Sequence, residues 1–247
     1  MLLSKLGEFG LIKRFRKQIK TDSTVVVGSG DDCAVLAFDK TRYQLFTCDM
    51  IVEGVDFSAK DKPELVGRKA LAVSISDIAA CGGIPRHAVV SLGFPKQTKV
   101  AYIDKVTKGI FDLAKSYKIN IVGGDISRAQ GFTIDISMLG LVEKKRLVLR
   151  RNAKSQDLIL VSGPLGGSIR GKHLTFTPRV KEARFLTGNF KVNSMIDISD
   201  GLLQDLSHIL EDSACGAIIY ESLIPLSRDS KDINDALTSG EDFMFPL

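Results

Sequence analysis

The chain has 247 residues, of which 44% are hydrophobic and 26% charged, with a net charge of +5 and a pI near 9.0. That is room for one large domain or two small ones, and no apolar run approaches the roughly 20 residues a membrane helix needs. The four scattered cysteines form no CxxC pair for zinc or a disulfide framework, and the dispersed basic residues lack interleaved aromatics, which argues against a nucleic-acid surface.

The opening MLLSKLGEFGLIKRFRKQIK has no signal-peptide core and reads as a mature cytoplasmic start. Its Leu6, Phe9, Ile12 and Phe15 predict a helix over residues 6–19. Residues 25–27 predict a strand, GSGDD the turn after it, and residues 33–38 and 43–47 two strands around a DKT turn. Pro63 suits a first helical turn, and the helix it opens runs to a stop at Gly82 and Gly83. A strand follows over 87–92. Val100, Ile103, Val106, Ile110, Leu113 and Tyr117 then mark an amphipathic helix. Residues 119–122 predict a short buried strand that delivers GGD, and the alternation from Phe132 to Met138 a half-exposed one. A second region starts near Arg150. It is expected to hold a strand at 158–161, a turn at GPLGGS, an apolar run at 195–198 leading into SDG, and a helix over 202–210. A strand at 217–220, a short helix at 232–237 and a strand opening at Phe243 complete it.

Seven aspartates sit where apolar runs end or Gly-rich turns begin: Asp31, Asp32, Asp49, Asp77, Asp125, Asp197 and Asp200. Singly, each has a plain reading, such as a turn residue at Asp31 or Asp32, a surface helix residue at Asp77, or a helix N-cap at Asp200. Together they suggest one rim. Two charges about 4 Å apart repel by about 4 kcal/mol at an effective dielectric near 20. Clustered oxygens therefore call for a hard cation, and magnesium commonly bridges to phosphate. Walker A, protein-kinase and GxSxG motifs are absent, and GGSIRGK has the wrong spacing for a phosphate loop. His87, His173 and His208 lie far apart, and the Arg150 group suits a polyanionic nucleotide.

In order and spacing, GDDCAVL, TCDMIVEGVDF, KALAVSISDIAACGGIP, VGGDISR, IDISDGLLQDLSHI and SGED resemble the thiamine-monophosphate kinase family, within the aminoimidazole ribonucleotide synthetase-like superfamily. The resemblance implies ATP- and magnesium-dependent phosphorylation of thiamine monophosphate to thiamine diphosphate. It implies a two-domain α/β (α+β) fold, with residues 1–148 binding nucleotide and pairing into a barrel across a homodimer, and residues 149–247 forming an incomplete C-terminal α/β domain. Matched by position, Asp32, Thr47, Asp49, Asp77, Asp125, Asp197 and Asp200 correspond to magnesium ligands. Gly124, Asp125, Arg150 and Ser199 correspond to nucleotide contacts, and Asp56 and Glu241 to the acceptor side. The chain departs from the pattern in four places. Asp56 stands where the family has His and Cys48 where it often has Thr, the stretch 171–177 is short, and the chain stops soon after SGED. Another ATP-using enzyme of the superfamily, or a nucleotide-binding relative with little turnover, are the alternatives.

Overall fold

The structure is a computed structural model that describes residues 3–247; Met1, Leu2 and the side chains of Leu3, Glu8 and Phe9 lie outside the described residues. The first half runs α1 (Leu3–Arg16), β1 (Val25–Val27), β2 (Ala34–Ala37), β3 (Arg42–Val52), α2 (Pro63–Ala80), β4 (Ile84–Phe94), α3 (Val100–Tyr117), β5 (Asn120–Arg128) and β6 (Thr133–Glu143). Its strands form one six-stranded sheet in the order β1-β2-β3-β6-β4-β5, antiparallel except for the β4–β5 pair. Among the described residues the sheet stays open and closes no barrel. α1 is kinked at Gly7 (φ 70°) and ends before Ile19, and its Ile12 and Phe15 are exposed.

The period-two pattern of β6 turns Ile134, Ile136 and Met138 into the core, all fully buried. α2 lies against that face and is buried almost all round, because α3 covers its other side. This is the packing of a helix without a solvated stripe. The two helices cross at Gly67 and Gly109. A Cβ on Gly67 would lie 1.9 Å from the Val106 carbonyl oxygen, and one on Gly109 1.9 Å from that of Glu64. The other face of the sheet exposes Phe46, Cys48, Met50 and Val89.

The strand expected to be short and buried at 119–122 is instead the nine-residue β5, exposed along most of its length. β6 and β5 flank β4, so β5 is left at the sheet edge with one neighbour.

The second half contains α4 (Lys172–Thr175), α5 (Val180–Asn189), α6 (Leu202–Ser213) and α7 (Ile233–Thr238). Full strands at 158–161 and 217–220 do not form. Residues 217–220 are exposed or half-buried, and Val161 makes a single bridge to Pro246. α5 was not expected, since only its Ala183 is buried and its sequence carries little apolar periodicity. The C-terminal segment has a neighbour on each side. Leu160 and Leu247 exchange two backbone hydrogen bonds of 3.0 Å, while Ile198 donates to Met244 and accepts from Phe243, both at 2.8 Å. This buries Phe243, Met244 and Phe245.

The helix crossing gives a direct test. Gly67→Ala and Gly109→Ala are each expected to cost about 1–3 kcal/mol in urea unfolding, because backbone must move to admit a methyl group. Gly131→Ala, where nothing lies within 4 Å of the new Cβ, serves as the neutral control.

Candidate active site

Four parts of the chain meet at the second half of α2. The turn after β1 supplies Asp31 and Asp32, β3 supplies Thr47 and Asp49, and α2 itself supplies Ser74, Ser76 and Asp77. The segment paired with the C-terminus supplies Asp197. Carboxylate oxygens of Asp32, Asp77 and Asp197 lie within 4.8 Å of one another. Hydroxyls aim the acids: Thr47 Oγ1 donates to Asp77 Oδ2, Ser74 Oγ to Asp49 Oδ2 at 2.8 Å, and Ser76 Oγ to Asp197 Oδ2 at 2.6 Å.

Among the described residues, Arg150 is ion-paired to this group. Arg150 Nη2 lies 2.5 Å from Asp32 Oδ1, and its backbone N–H donates to Asp31 Oδ2 at 3.1 Å. Burial opposes the guanidinium charge, but Asp32 and Asp31 more than offset it, and the Arg150 pKa rises. One arginine does not neutralise the group. Burial, then Asp49 and Asp197, holds the Asp77 carboxyl well above its usual range. Burial and then Asp32 do the same to Asp197, and push Asp31 up to about 7. Asp32 Oδ2 is buried and has no hydrogen-bond partner among the described residues. All-oxygen donors, surplus negative charge and an orphaned carboxylate oxygen fit a hard divalent cation.

The remaining expected site residues are dispersed. Gly124 and Asp125 lie on edge strand β5. Asp125 is in register with Ser91, Ser91 with Asp135, and Asp135 with Met50, a row on the face opposite to that on which Asp49 meets Ser74. A hollow of about 530 Å³ borders Gly124 and Asp125 beside α3, apart from the aspartate cluster. A Cβ at Gly124 would lie 1.9 Å from the Val90 carbonyl oxygen, which explains the glycine. Ser199 and Asp200 are exposed in the turn before α6. Asp200 does not cap that helix. Gly201 holds the N-cap position, and Asp205 Oδ2 accepts from the backbone of Asp200 at 3.0 Å and Gly201 at 3.1 Å.

Asp56 turns its carboxylate back into its own loop, where Oδ2 accepts from Val52 N at 2.7 Å. Glu241 is ion-paired to Lys69 at 2.8 Å. Sequence reasoning missed Lys69, His173, Ser76 and Asp205. Lys69 had a legible signal, a lone cation inside the apolar run KALAVSIS.

Family models match along most of the chain: AIR synthase related protein, N-terminal domain, over residues 30–142, and the C-terminal domain of the same group over 139–245. The thiamine-monophosphate kinase of Buchnera aphidicola subsp. Schizaphis graminum is 36% identical over 266 aligned residues, covering 96% of this chain and 81% of the relative. A solved structure described as AaThiL complexed with AMPPCP and TMP superposes with a TM-score of 0.91 at 31% identity, covering 100% of this chain and 86% of that one. The thiamine monophosphate kinase from Aquifex aeolicus gives a TM-score of 0.83 at 30% identity, covering 100% and 88%. Fold and site together therefore define an AIR synthase-related protein. Within that group, the chain belongs to the thiamine-monophosphate kinase family.

The raised carboxyls dictate how stability responds to pH without a bound cation. An aspartate whose folded pKa lies above its unfolded value near 4 keeps its proton more tightly when folded, so stability falls as pH rises between the two values. Asp31 and Asp205, both at about 7, and Asp32, Asp49, Asp77 and Asp197 all act in this direction. His173 and His208, lowered first by burial, oppose it below about pH 6.5. The expected outcome in chelator is a melting temperature that rises as pH drops from about 8 to about 6.5, and a dependence that flattens when magnesium is added.

Proposed function

We propose that this protein transfers the terminal phosphoryl group of ATP to thiamine monophosphate, giving thiamine diphosphate and ADP. The observation that carries this reading is the buried acid cluster of Asp32, Asp77 and Asp197, aimed by hydroxyls and underneutralised by Arg150. It occurs in a chain whose relative AaThiL is described in complex with AMPPCP and TMP.

In this reading Asp32, Thr47, Asp49, Asp77 and Asp197 hold magnesium at the cluster, Asp125 and Asp200 hold it away from the cluster, on the opposite sheet face and in the exposed turn before α6, and Gly124, Asp125, Arg150 and Ser199 meet the nucleotide. Magnesium held there supplies charge neutralisation to the phosphate oxygens. The chain's own groups bind and orient. Thr47, Ser74 and Ser76 fix the carboxylate rotamers, and Arg150 exchanges Asp32 for nucleotide phosphate. The bond from the bridging oxygen to the terminal phosphorus of ATP breaks, and the acceptor phosphate oxygen forms the new bond in line, with no phosphoenzyme. Glu241 takes the acceptor's organic portion. Asp56 serves that side through its backbone, since its carboxylate is committed to Val52.

The same reading includes a homodimer. The unpaired edge of β5 and the apolar face bearing Phe46, Met50 and Val89 are surfaces a second copy would cover, closing the sheets into a barrel. It also includes the division near residue 148. The largest core cluster draws mainly on the first half and two smaller ones wholly on the second, while a third, with Ala79, Ala80, Val148, Ala183, Met195 and Phe245, joins the halves. A cytoplasmic setting accords with four free cysteines. Among the described residues, no helix is long and apolar enough to cross a membrane.

Incubation with ATP, magnesium and thiamine monophosphate is expected to release ADP and thiamine diphosphate in equal amounts, and to stop in chelator. Asp49→Ala and Asp77→Asn should each lower kcat by about 100-fold or more; full production by either variant would sink the proposal. Sedimentation velocity should find a dimer at micromolar concentration, and Met50→Asp should convert it to monomer, because it sets a second carboxylate beside its register partner Asp135 at that face. A monomeric wild type would refute the dimer.

A further inference from the structure

Lys69 is 1% exposed and is among the largest fully buried side chains of the described residues. A buried ammonium is costly unless every donor is used. Here all three have acceptors. Nζ donates to the Asp56 carbonyl oxygen at 2.8 Å and to Glu241 Oε1 at 2.8 Å, and it meets His173 Nδ1 at 3.2 Å. The acceptors come from three separate places, the loop after β3, α4 and the loop after α7.

Two chemical consequences follow. An ammonium has no lone pair, so His173 Nδ1 must accept and the ring hydrogen must sit on Nε2. Burial, and then the Lys69 charge, push the His173 pKa down to about 4, which keeps that ring neutral. Glu241 has Oε1 committed, while Oε2 is buried and has no partner among the described residues. Its backbone is held in the left-handed region (φ 69°), pinned by Glu241 N to Ser199 O at 2.8 Å and by Ser168 Oγ to Glu241 O at 2.6 Å. A strained, pinned carboxylate with one orphaned oxygen is built for a donor from outside the chain.

We infer that Lys69 is a positioning residue of the acceptor site, whose single ammonium presents Glu241 Oε2 as a hydrogen-bond acceptor and His173 Nε2–H as a neutral donor to the organic part of the acceptor substrate. This rests on the kinase reading above for the identity of that substrate. Lys69 bonds to none of Asp32, Asp77 or Asp197, so its influence falls on acceptor binding and not on the nucleotide.

The first arm of the test needs no turnover. A long-range 1H–15N spectrum of the ligand-free full chain, with His173→Gln to assign the ring, should show His173 neutral with its hydrogen on Nε2 at about pH 6. A protonated ring or an Nδ1–H tautomer there overturns the inference. In the second arm, Lys69→Met should raise the KM for thiamine monophosphate at least about tenfold and leave the KM for ATP within about twofold. A loss confined to kcat, with both KM values unchanged, overturns it. Because Lys69→Met strands a buried carboxylate, Lys69→Met/Glu241→Gln keeps the test open in a protein without either charge. Its KM for thiamine monophosphate should match that of Glu241→Gln/His173→Gln within about twofold, since Lys69 acts only through those two groups, and a further loss overturns the inference. A wild type that does not phosphorylate thiamine monophosphate defeats the functional reading instead, and the spectrum still decides the role of Lys69.

Discussion

Repulsion among buried aspartates organises this molecule. Asp32, Asp77 and Asp197 are forced within hydrogen-bonding reach of a common point, with Asp31 and Asp49 close behind and Arg150 as the cation paired into the group. Such a cluster survives only on a rigid support. The support is α2, packed against the sheet on one side and against α3 on the other, with Gly67 and Gly109 letting the helices approach. Its Ser74 and Ser76 are fully buried, and they spend their hydroxyls on carboxylates from β3 and from the segment beside the C-terminus. Packing thus stores an electrostatic imbalance of the kind a hard divalent cation relieves.

A second charged centre lies on the same helix and is built on the opposite principle. Around Lys69, charge and hydrogen bonds are balanced almost to completion, with one carboxylate oxygen of Glu241 left over. The unbalanced centre suits the phosphates, whose charge is large and whose geometry repeats. The balanced centre suits an organic acceptor, for which a few fixed donors and acceptors give discrimination. Lys69 and Asp77 both belong to α2, so one rigid element sets the distance between the two centres.

The second half has little ladder structure of its own and is tied to the first by specific links. Arg184 forms a bidentate pair with Glu143 at 2.6 and 2.8 Å, and this holds the Glu143 carboxyl down at about 2. Arg68 donates to the Phe176 carbonyl oxygen at 2.5 Å, and Phe176 stacks on Phe243 with centroids 4.0 Å apart. These links carry Glu241 and Asp197 to α2. β5 shows the reverse arrangement, an exposed edge that holds Gly124 and Asp125 away from the cluster within a single chain.

Local pattern was enough to recognise α2, α3, β6 and the helix after SDG, since each has strong periodicity or a sharp start and stop, and the ordered acidic motifs pointed to magnesium and phosphate. Local pattern was not enough for α5, in which only Ala183 is buried, or for residues 217–220, where strand-like composition found no ladder partner, and 158–161, where pairing is limited to Leu160 and Val161 against the C-terminal segment. It also misjudged β5, because whether an apolar strand is central or at an edge depends on which strands pair with it. The aspartates were legible as candidates by residue type. Only tertiary structure decided that Asp32, Asp77 and Asp197 converge, that Asp125 belongs to another face, and that Asp56 serves its own loop. Lys69 and His173 became meaningful only when segments more than 100 positions apart were brought to one ammonium. Periodicity and turn chemistry act between near neighbours in the chain, whereas charge compensation acts through space, and the fold alone sets those distances.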